Sequence, residues 1–355
     1  MNASHPTDLP VHPAQQEVLG ACPLCESDLA PASNIHHVEG WRIVACPGCG
    51  VGITNPRPTL EAIGQFYRSS FFSTRPDDTL RNLVGDLLNR RTSRKQAGER
   101  IRSTVLNEIK FLHDWTHKQR GIWRLAFFPF RWALALTYEP IQWLPSEGGR
   151  LLDIGFGRGE FLHRAKRLGW DAHGVEVSET SVEWGRSLGC AASRFDGSFQ
   201  NPLAYPDSHF DLVSANSVLE HVHHPRAAVR EMRRLLRPGG RLFLMVPNFE
   251  CRDIEVLGPH WRMWSPPQHL FHFTAANVRD LLLQEGFSDV VVRYKVWFNP
   301  LTDKKSLESI KPTLAPSAFR KLRRHIRFGK RLDFLLGRRS AAEVAPGMAL
   351  EARAT

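Results

Sequence analysis

The sequence predicts an α/β fold in which crossover helices cover a mostly parallel sheet. Between residues 148 and 299, short apolar segments alternate with amphipathic helical patterns, which is typical of such a sheet. A glycine-rich turn follows the first of these strands, where parallel sheets bind their ligands. Hydrophobic residues make up 42% of the chain, which is sufficient for a sizeable core.

Seven strands and the helices between them are predicted from the hydrophobic pattern. Residues 160–168 and 227–236 carry apolar side chains at helical spacing. The second helix is expected to end before Arg237-Pro238, because proline cannot continue a helix. The predicted strands are 150–154, 171–177, 191–195, 210–216, 241–247, 290–296 and 348–352.

The glycine-rich turn Asp153-Ile154-Gly155-Phe156-Gly157-Arg158-Gly159 joins the first strand to the first helix. Glycines in this position let the backbone turn tightly and approach a ligand without a Cβ in the way. Glu176 ends the second strand, where a carboxylate can accept hydrogen bonds from both ribose hydroxyls. The glycines alone suit either a dinucleotide or S-adenosylmethionine (SAM).

Two acidic residues favour SAM over a dinucleotide. The dinucleotide fingerprint requires a glycine at the position of Glu160. Asp153 would lie unfavourably close to a pyrophosphate, whereas SAM carries an ammonium group and a sulfonium that carboxylates stabilise. The turn therefore predicts SAM.

The turn resembles motif I of the class I SAM-dependent methyltransferases, which have a Rossmann-like sheet of seven strands. Three later runs, at 210–213, 218–222 and 235–240, resemble the later motifs of that family in order and spacing. Phe156 departs from the family, which often has a small residue there. The cofactor-binding residues that the resemblance implies are Asp153, Gly155, Gly157, Gly159, Glu176, Asp196 and Asn216.

Two of these residues follow later strands. The resemblance implies that Asp196 contacts the adenine and that Asn216 faces the methionyl end of the cofactor. The alternative for Asp196 is an aspartate that only stabilises a turn.

Two histidines are candidates for a general base. The resemblance places His221, beside Glu220, near the methyl donor, and a histidine pKa near neutrality suits proton abstraction. The run at 218–222 is similar to ubiquinone-biosynthesis O-methyltransferases. In those enzymes a second glutamate, three residues before the one that corresponds to Glu220, helps to bind a metal. Ser217 occupies that position here, which argues against a metal. Packing at the start of a helix is the alternative role for His221.

The segment 259–274, after the fifth strand, is rich in aromatic residues and histidines. It lies at the edge of the sheet where ligands bind, and its composition suits an acceptor pocket or lid. His269 and Trp264 are the acceptor-side candidates. The alternative is that these side chains only pack on the following helix.

Four of the six cysteines form two Cys-x-x-Cys pairs, and twenty residues separate the pairs. This spacing predicts a structural zinc ribbon in which four thiolates close a tetrahedral site. Two redox-active pairs are the alternative. The predicted zinc ligands are Cys22, Cys25, Cys46 and Cys49.

The ribbon is followed by the run Asn55-Pro56-Arg57-Pro58 and an aromatic helical segment. This combination resembles a bacterial subgroup of class I methyltransferases that is often linked to the tailoring of sugars, polysaccharides or small metabolites. The resemblance implies methyl transfer to O, N or C of a small-molecule or carbohydrate-type acceptor, including nucleotide- or lipid-linked ones. A zinc-ribbon RNA methyltransferase and a non-catalytic scaffold protein are the alternatives.

Most of the net charge of +11 lies in the segment 304–339. It favours contact with phosphate groups or an anionic membrane, and a solvated helix face is the alternative. The tryptophan-rich stretch 122–144 carries charges that a membrane span would exclude. The polar start of the chain lacks the pattern of a secretory signal, so a cytoplasmic protein is expected, with peripheral contact with the inner membrane as a hypothesis.

The predicted organisation has four parts. These are a flexible leader (1–19), the zinc ribbon (20–56), a helical linker or cap (57–147) and the methyltransferase domain (148–355) with a basic helical insertion (304–339).

Overall fold

The computed structural model describes residues 15–69, 148–295, 306–324, 340, 345 and 347–355. Most of the predicted helical linker, the tryptophan-rich stretch 122–144 and part of the basic segment lie outside the described residues. The chain divides into two compact units. The glycine-turn unit is Phe72–Arg194, and the ribbon unit combines Met1–Phe71 with Phe195–Thr355. The predicted domain boundaries remain predictions.

The N-terminal part of the ribbon unit consists of short antiparallel strands and one helix. Glu39 and Gly40, with φ of 50° and 85°, connect two of the strands. Positive φ at both central residues is what a type I′ hairpin turn requires. The elements are β1 (Gln16–Glu17), β2 (Ser33–Val38), β3 (Trp41–Ala45), β4 (Gly52–Thr54), β5 (Arg57–Pro58) and α1 (Leu60–Ser69).

The glycine-turn unit contains three parallel strands in the order β6-β7-β8. The strands begin where the apolar pattern predicts, because a strand that is buried on both faces reads as a short continuous apolar run. The elements are β6 (Arg150–Ile154), α2 (Glu160–Arg167), β7 (Asp171–Glu176), α3 (Glu179–Ser187) and β8 (Ala191–Arg194).

Phe156 fills space beneath the glycine-rich turn and is only 7% exposed. A Cβ at Gly174 would lie 2.5 Å from the ring of Phe156, and a Cβ at Gly185 would lie 3.1 Å from it. Two glycines in the neighbouring strand and helix therefore make room for this phenylalanine. Phe156 belongs to the packing of this unit.

The C-terminal part of the ribbon unit contains four more strands of the predicted α/β sheet, in the order β12-β13-β10-β9. β9 and β10 are parallel, whereas β13 is antiparallel to both β10 and β12. The elements are β9 (Phe210–Asn216), α4 (Pro225–Leu235), β10 (Leu236–Pro247), α5 (Asp253–Leu257), β11 (Phe271–His272), α6 (Ala275–Gln284), β12 (Phe287–Lys295), α7 (Pro316–Arg324) and β13 (Gly347–Ala354).

All seven predicted strands are present, which confirms the α/β class with a mostly parallel sheet. Two strands begin several residues earlier than predicted. β10 starts at Leu236, and a register shift before Arg241 accommodates the Pro238-Gly239-Gly240 turn within the strand. β12 starts at Phe287, and Asp289, with φ of 50°, lies at its irregularity. Bulges of this kind are not visible in a hydrophobic pattern.

β11 extends the ribbon sheet, whose strand order is β11-β4-β3-β2. Phe271 lies opposite Ile53, and His272 lies opposite Gly52. A two-residue strand from far along the chain thus completes a sheet that begins beside the cysteines. Within the described residues, no helix is long and apolar enough to cross a membrane.

Candidate active site and cysteine centre

The glycine-rich turn of the glycine-turn unit has a left-handed backbone at its three glycines. Gly155, Gly157 and Gly159 have φ of 66°, 56° and 71°, values that residues with a Cβ adopt only at a cost. The N–H of Gly155 donates to the carbonyl of Val175 at 2.8 Å, which fixes the turn to the end of β7.

Glu176 is 4% exposed and lies beside the turn. Its Oε2 accepts a hydrogen bond from the N–H of Gly157 at 2.8 Å, and its Oε1 accepts one from the N–H of Val177 at 2.7 Å. Burial raises the pKa of Glu176, and these backbone donors oppose the increase. Asp153 is also buried and is the next-to-last residue of β6. Five of the predicted cofactor residues therefore lie in the glycine-turn unit: Asp153, Gly155, Gly157, Gly159 and Glu176.

The other two predicted cofactor residues lie in the ribbon unit. Asp196 is exposed, and its carboxylate accepts hydrogen bonds from the N–H and the hydroxyl of Ser198, both at 2.8 Å. Asn216 ends β9, and among the described residues its buried Oδ1 has no hydrogen-bond partner. Asp196 thus has the bonding of a turn aspartate, and its adenine contact remains a prediction.

The rings of His221 and His269 lie together, with their centroids 4.7 Å apart. Nδ1 of His221 is 2.9 Å from the carbonyl oxygen of Gln268, and Nδ1 of His269 is 2.8 Å from that of Met263. Because a carbonyl oxygen can only accept, each Nδ1 carries the proton. In each neutral ring, Nε2 is therefore the unprotonated nitrogen.

Burial keeps both rings neutral. It lowers the pKa of His221 to about 4 and the pKa of His269 well below its usual value. A histidine that is neutral at physiological pH can accept a proton, which is the requirement for a general base.

Glu220 completes this cluster and is 1% exposed. Within the part of the chain that the structure describes, neither of its carboxylate oxygens has a hydrogen-bond partner. Burial raises the pKa of Glu220 to about 8. Ligand atoms of Glu220, His221 and His269 lie within 4.8 Å of one another, so these groups could share a proton or hold a divalent cation. Sequence spacing missed this cluster, because His269 is distant from His221 in the chain.

The other acceptor-side candidate, Trp264, is 1% exposed and belongs to a hydrophobic cluster. Its Nε1–H donates to the carbonyl of Gly258 at 2.9 Å. The ribbon residues Val38 and Ile43 and the loop residue Trp261 pack in the same cluster. Trp264 therefore packs, as in its alternative role, but against ribbon and loop residues rather than on the following helix.

The four predicted ligand cysteines lie together, with all Sγ atoms within 4.8 Å of one another. Sγ of Cys22 is 3.8 Å from that of Cys49, and Sγ of Cys25 is 3.5 Å from that of Cys46. The four thiols are free. The hydrogen bond from Cys49 lowers the pKa of Cys22 to about 5, so the cluster favours thiolate formation at one sulfur.

Comparisons with known proteins agree with this geometry. A family model described as a methyltransferase domain matches residues 131–292. Over 173 residues the chain is 30% identical to a ubiquinone biosynthesis O-methyltransferase of Maricaulis maris, covering 46% of this chain and 68% of the relative. A protein of the same name from Cereibacter sphaeroides is 32% identical over 174 residues, covering 46% and 70%.

Solved structures give a weaker likeness. A SAM-dependent methyltransferase from Thermotoga maritima is 20% identical, with a TM-score of 0.41, and the match covers 65% of this chain and 97% of that one. The sequence relatives are the stronger finding. The chain belongs to the class I SAM-dependent methyltransferases.

Replacement of Glu176 by alanine is expected to weaken SAM binding by about ten- to a hundredfold, because hydrogen bonds to a charged group each contribute roughly 1.5–3 kcal/mol. Titration calorimetry with SAM measures the effect. Glu183→Ala, which changes an exposed carboxylate on α3, is the matched control and should bind like the wild type. Equal affinity of the Glu176→Ala protein and the wild type would contradict the assignment.

Proposed function

We propose that this methyltransferase transfers the methyl group of SAM to a hydroxyl oxygen of a small-molecule or carbohydrate-type acceptor. The observation that carries the proposal is the pair of neutral histidines, His221 and His269, beside the buried carboxylate of Glu220. A hydroxyl must lose its proton during methylation, whereas an amine can react through its own lone pair. Both sequence relatives described above are O-methyltransferases by name, which supports the same choice.

In this proposal, Asp153, the three turn glycines and Glu176 bind the cofactor. The roles that the resemblance implies for Asp196 and Asn216 remain predictions. SAM supplies a sulfonium leaving group, so the protein has no covalent step to perform. Its tasks are to align the acceptor, exclude water and remove one proton. His221 takes the proton at Nε2, and His269, whose ring packs against that of His221, lines the acceptor side.

The proposed base is tested by transfer of a tritiated methyl group from SAM to protocatechuate or a nucleotide-linked hexose. His221→Asn is expected to lower kcat by about 10²- to 10⁴-fold, the usual contribution of a general base. The SAM affinity should not change. His37→Asn, at an exposed position of β2, is the matched control.

The pH profile gives a second measurement on the same assay. His221 accepts a proton only when neutral, so kcat/KM is expected to fall as the pH decreases through about 4. Full activity of the His221→Asn protein would refute the role of His221 as the general base. Labelling of bulk tRNA with no labelling of either hydroxyl acceptor would favour the RNA methyltransferase instead. Treatment with EDTA separates a bare base from a metal-assisted one. Loss of activity while the zinc content of the protein stays unchanged would assign a cation to Glu220, His221 and His269.

We also propose that the four-cysteine cluster binds a structural zinc ion. The donor set fits, since four thiols converge on one point and closed four-thiolate sites are structural. The backbone forms a turn at each pair, where the carbonyl of Cys22 accepts from Glu26 and the carbonyl of Cys46 accepts from Gly50. Zinc there would stabilise a segment with little core of its own.

Elemental analysis of the purified protein tests the zinc site. The wild type is expected to carry about one zinc ion per chain, and Cys46→Ser should lose it because three thiolates leave the tetrahedral site open. Cys190→Ala changes a buried cysteine of the glycine-turn unit and should keep the metal. Metal-free wild type, or Cys46→Ser with a full zinc content, would rule the site out.

The described part of the basic insertion is a candidate for contact with anionic phosphate groups, including those of a membrane surface. α7 ends in a cluster of exposed cations, while Phe319 and Leu322 pack against the hydrophobic cluster of Trp264. The helix therefore presents its charges outward while its apolar side chains anchor it. The exposed cations are Arg320, Lys321, Arg323 and Arg324.

Sedimentation with vesicles tests this surface. Binding to phosphatidylglycerol vesicles, and none to phosphatidylcholine, is expected. Replacing the four cations by glutamine should weaken binding by about a hundredfold or more, since each cation near an anionic surface contributes roughly 1 kcal/mol. Inorganic phosphate that displaces the protein would identify a phosphate site rather than a membrane surface. Unchanged sedimentation of the glutamine variant would exclude α7 as the contact.

A further inference from the structure

The run after the ribbon, here taken with the preceding threonine as the 54–58 segment (Thr54-Asn55-Pro56-Arg57-Pro58), has no role in the chemistry above. Its polar side chains are nevertheless buried, with Thr54 0%, Asn55 3% and Arg57 3% exposed. Burying polar groups is unfavourable unless they are hydrogen-bonded. The partners of these side chains therefore indicate what the segment does.

Thr54 binds the loop that carries His269. Its N–H donates to the carbonyl of Leu270 at 3.0 Å, and its hydroxyl donates to the carbonyl of His269 at 2.8 Å. The same hydroxyl is 3.1 Å from Nε2 of His272. Since the hydroxyl has one proton, which goes to the His269 carbonyl, Nε2–H of His272 is the donor in that contact. One side chain thus fixes two residues of the loop.

Arg57 binds the loop that carries His221. Its Nη1 donates to the carbonyl of His223 at 3.1 Å. The ring of His223 donates in return from Nε2 to the carbonyl of Pro58 at 2.8 Å. An ion pair with Glu17, 2.7 Å from Nε, balances the buried guanidinium.

The two loops are also bonded to each other, because the N–H of Leu270 donates to the carbonyl of Glu220 at 2.8 Å. This arrangement decides which nitrogen of each histidine carries the proton. The carbonyls of Met263 and Gln268, which take the Nδ1 protons of His269 and His221, belong to the loop that Thr54 holds. Displacement of that loop would let either ring place its proton on Nε2, and Nε2 could then no longer accept one.

We propose that the 54–58 segment positions both acceptor-side histidines: Thr54 and Arg57 hold the two histidine loops so that His221 and His269 keep the Nδ1–H tautomer. The inference rests on the proposed function, since the proposed base needs an unprotonated Nε2. Thr54 and Arg57 are positioning residues, and neither needs to touch the acceptor.

Nuclear magnetic resonance of protein labelled with isotopic nitrogen in histidine tests the inference, because the ring nitrogen shifts report the tautomer without any acceptor. Thr54→Val keeps the shape and removes the donor to the His269 carbonyl. We expect the His269 and His221 signals to move from the Nδ1–H pattern towards a mixture of tautomers. Thr54→Ser keeps the hydroxyl and should restore the wild-type pattern.

Thr313→Val is the matched control, because it removes another hydroxyl that donates to a backbone carbonyl at 2.8 Å, that of Ile310. It should leave the histidine signals unchanged. Wild-type tautomers in Thr54→Val would overturn the inference. Should that variant fail to fold, Arg57→Gln takes its place: a shift of the His221 signals is expected, and unchanged signals would be equally decisive against the inference.

Kinetics separates the inference from the proposed function. In the methyl-transfer assay, Thr54→Val is expected to lower kcat by about ten- to a hundredfold, as small displacements of catalytic groups do, with the SAM affinity unchanged. If His221→Asn keeps full activity, the proposed base fails, while the tautomer result still decides whether the segment positions the rings. If Thr54→Val shifts the tautomers without lowering kcat, the positioning role in catalysis is wrong.

Discussion

Buried parallel strands use their backbone hydrogen-bonding groups within the sheet, and ligands of such sheets bind outside the carboxyl ends of the strands. The candidate cofactor and acceptor residues follow this constraint. Asp153 and the turn lie at the end of β6, Glu176 ends β7 and Asn216 ends β9. The loop with His269 follows β10. The proposed cofactor and acceptor residues therefore lie at the ends of these strands or in the loops that follow them.

Desolvation then gives these groups their chemical properties. Burial raises the pKa of Glu220 to about 8 and lowers the pKa of His221 to about 4. Both groups are therefore uncharged near neutral pH, in an environment where a charge would be unfavourable. A cluster of this kind can exchange a proton with a hydroxyl without first losing one to water. The backbone carbonyls of Gln268 and Met263 accept the Nδ1 protons of His221 and His269 and so fix the orientation of the two rings.

The ribbon module has a structural relation to the acceptor-side loops that its own spacing does not reveal. β11 joins the ribbon sheet beside β4, and the amide of Asn277 donates to the carbonyl of Cys49 at 2.7 Å. The cysteine turns and the histidine loops therefore belong to one hydrogen-bonded assembly within the ribbon unit. Zinc in the proposed site would stabilise the segment from which Thr54 and Arg57 reach the loops.

The seven strands of the α/β sheet, the glycine turn, Glu176 and the cysteine pairs can be predicted from the amino-acid sequence, because each depends on local spacing or on one strand following another. Three further relations are visible only in the folded chain: Glu220, His221 and His269 form one cluster, Thr54 holds the loop that carries His269, and Trp264 is buried in a hydrophobic cluster. Those relations join residues far apart in the chain. They arise from the pairing of β11 with β4 and from side-chain packing, which leave no periodic signal in a single sequence.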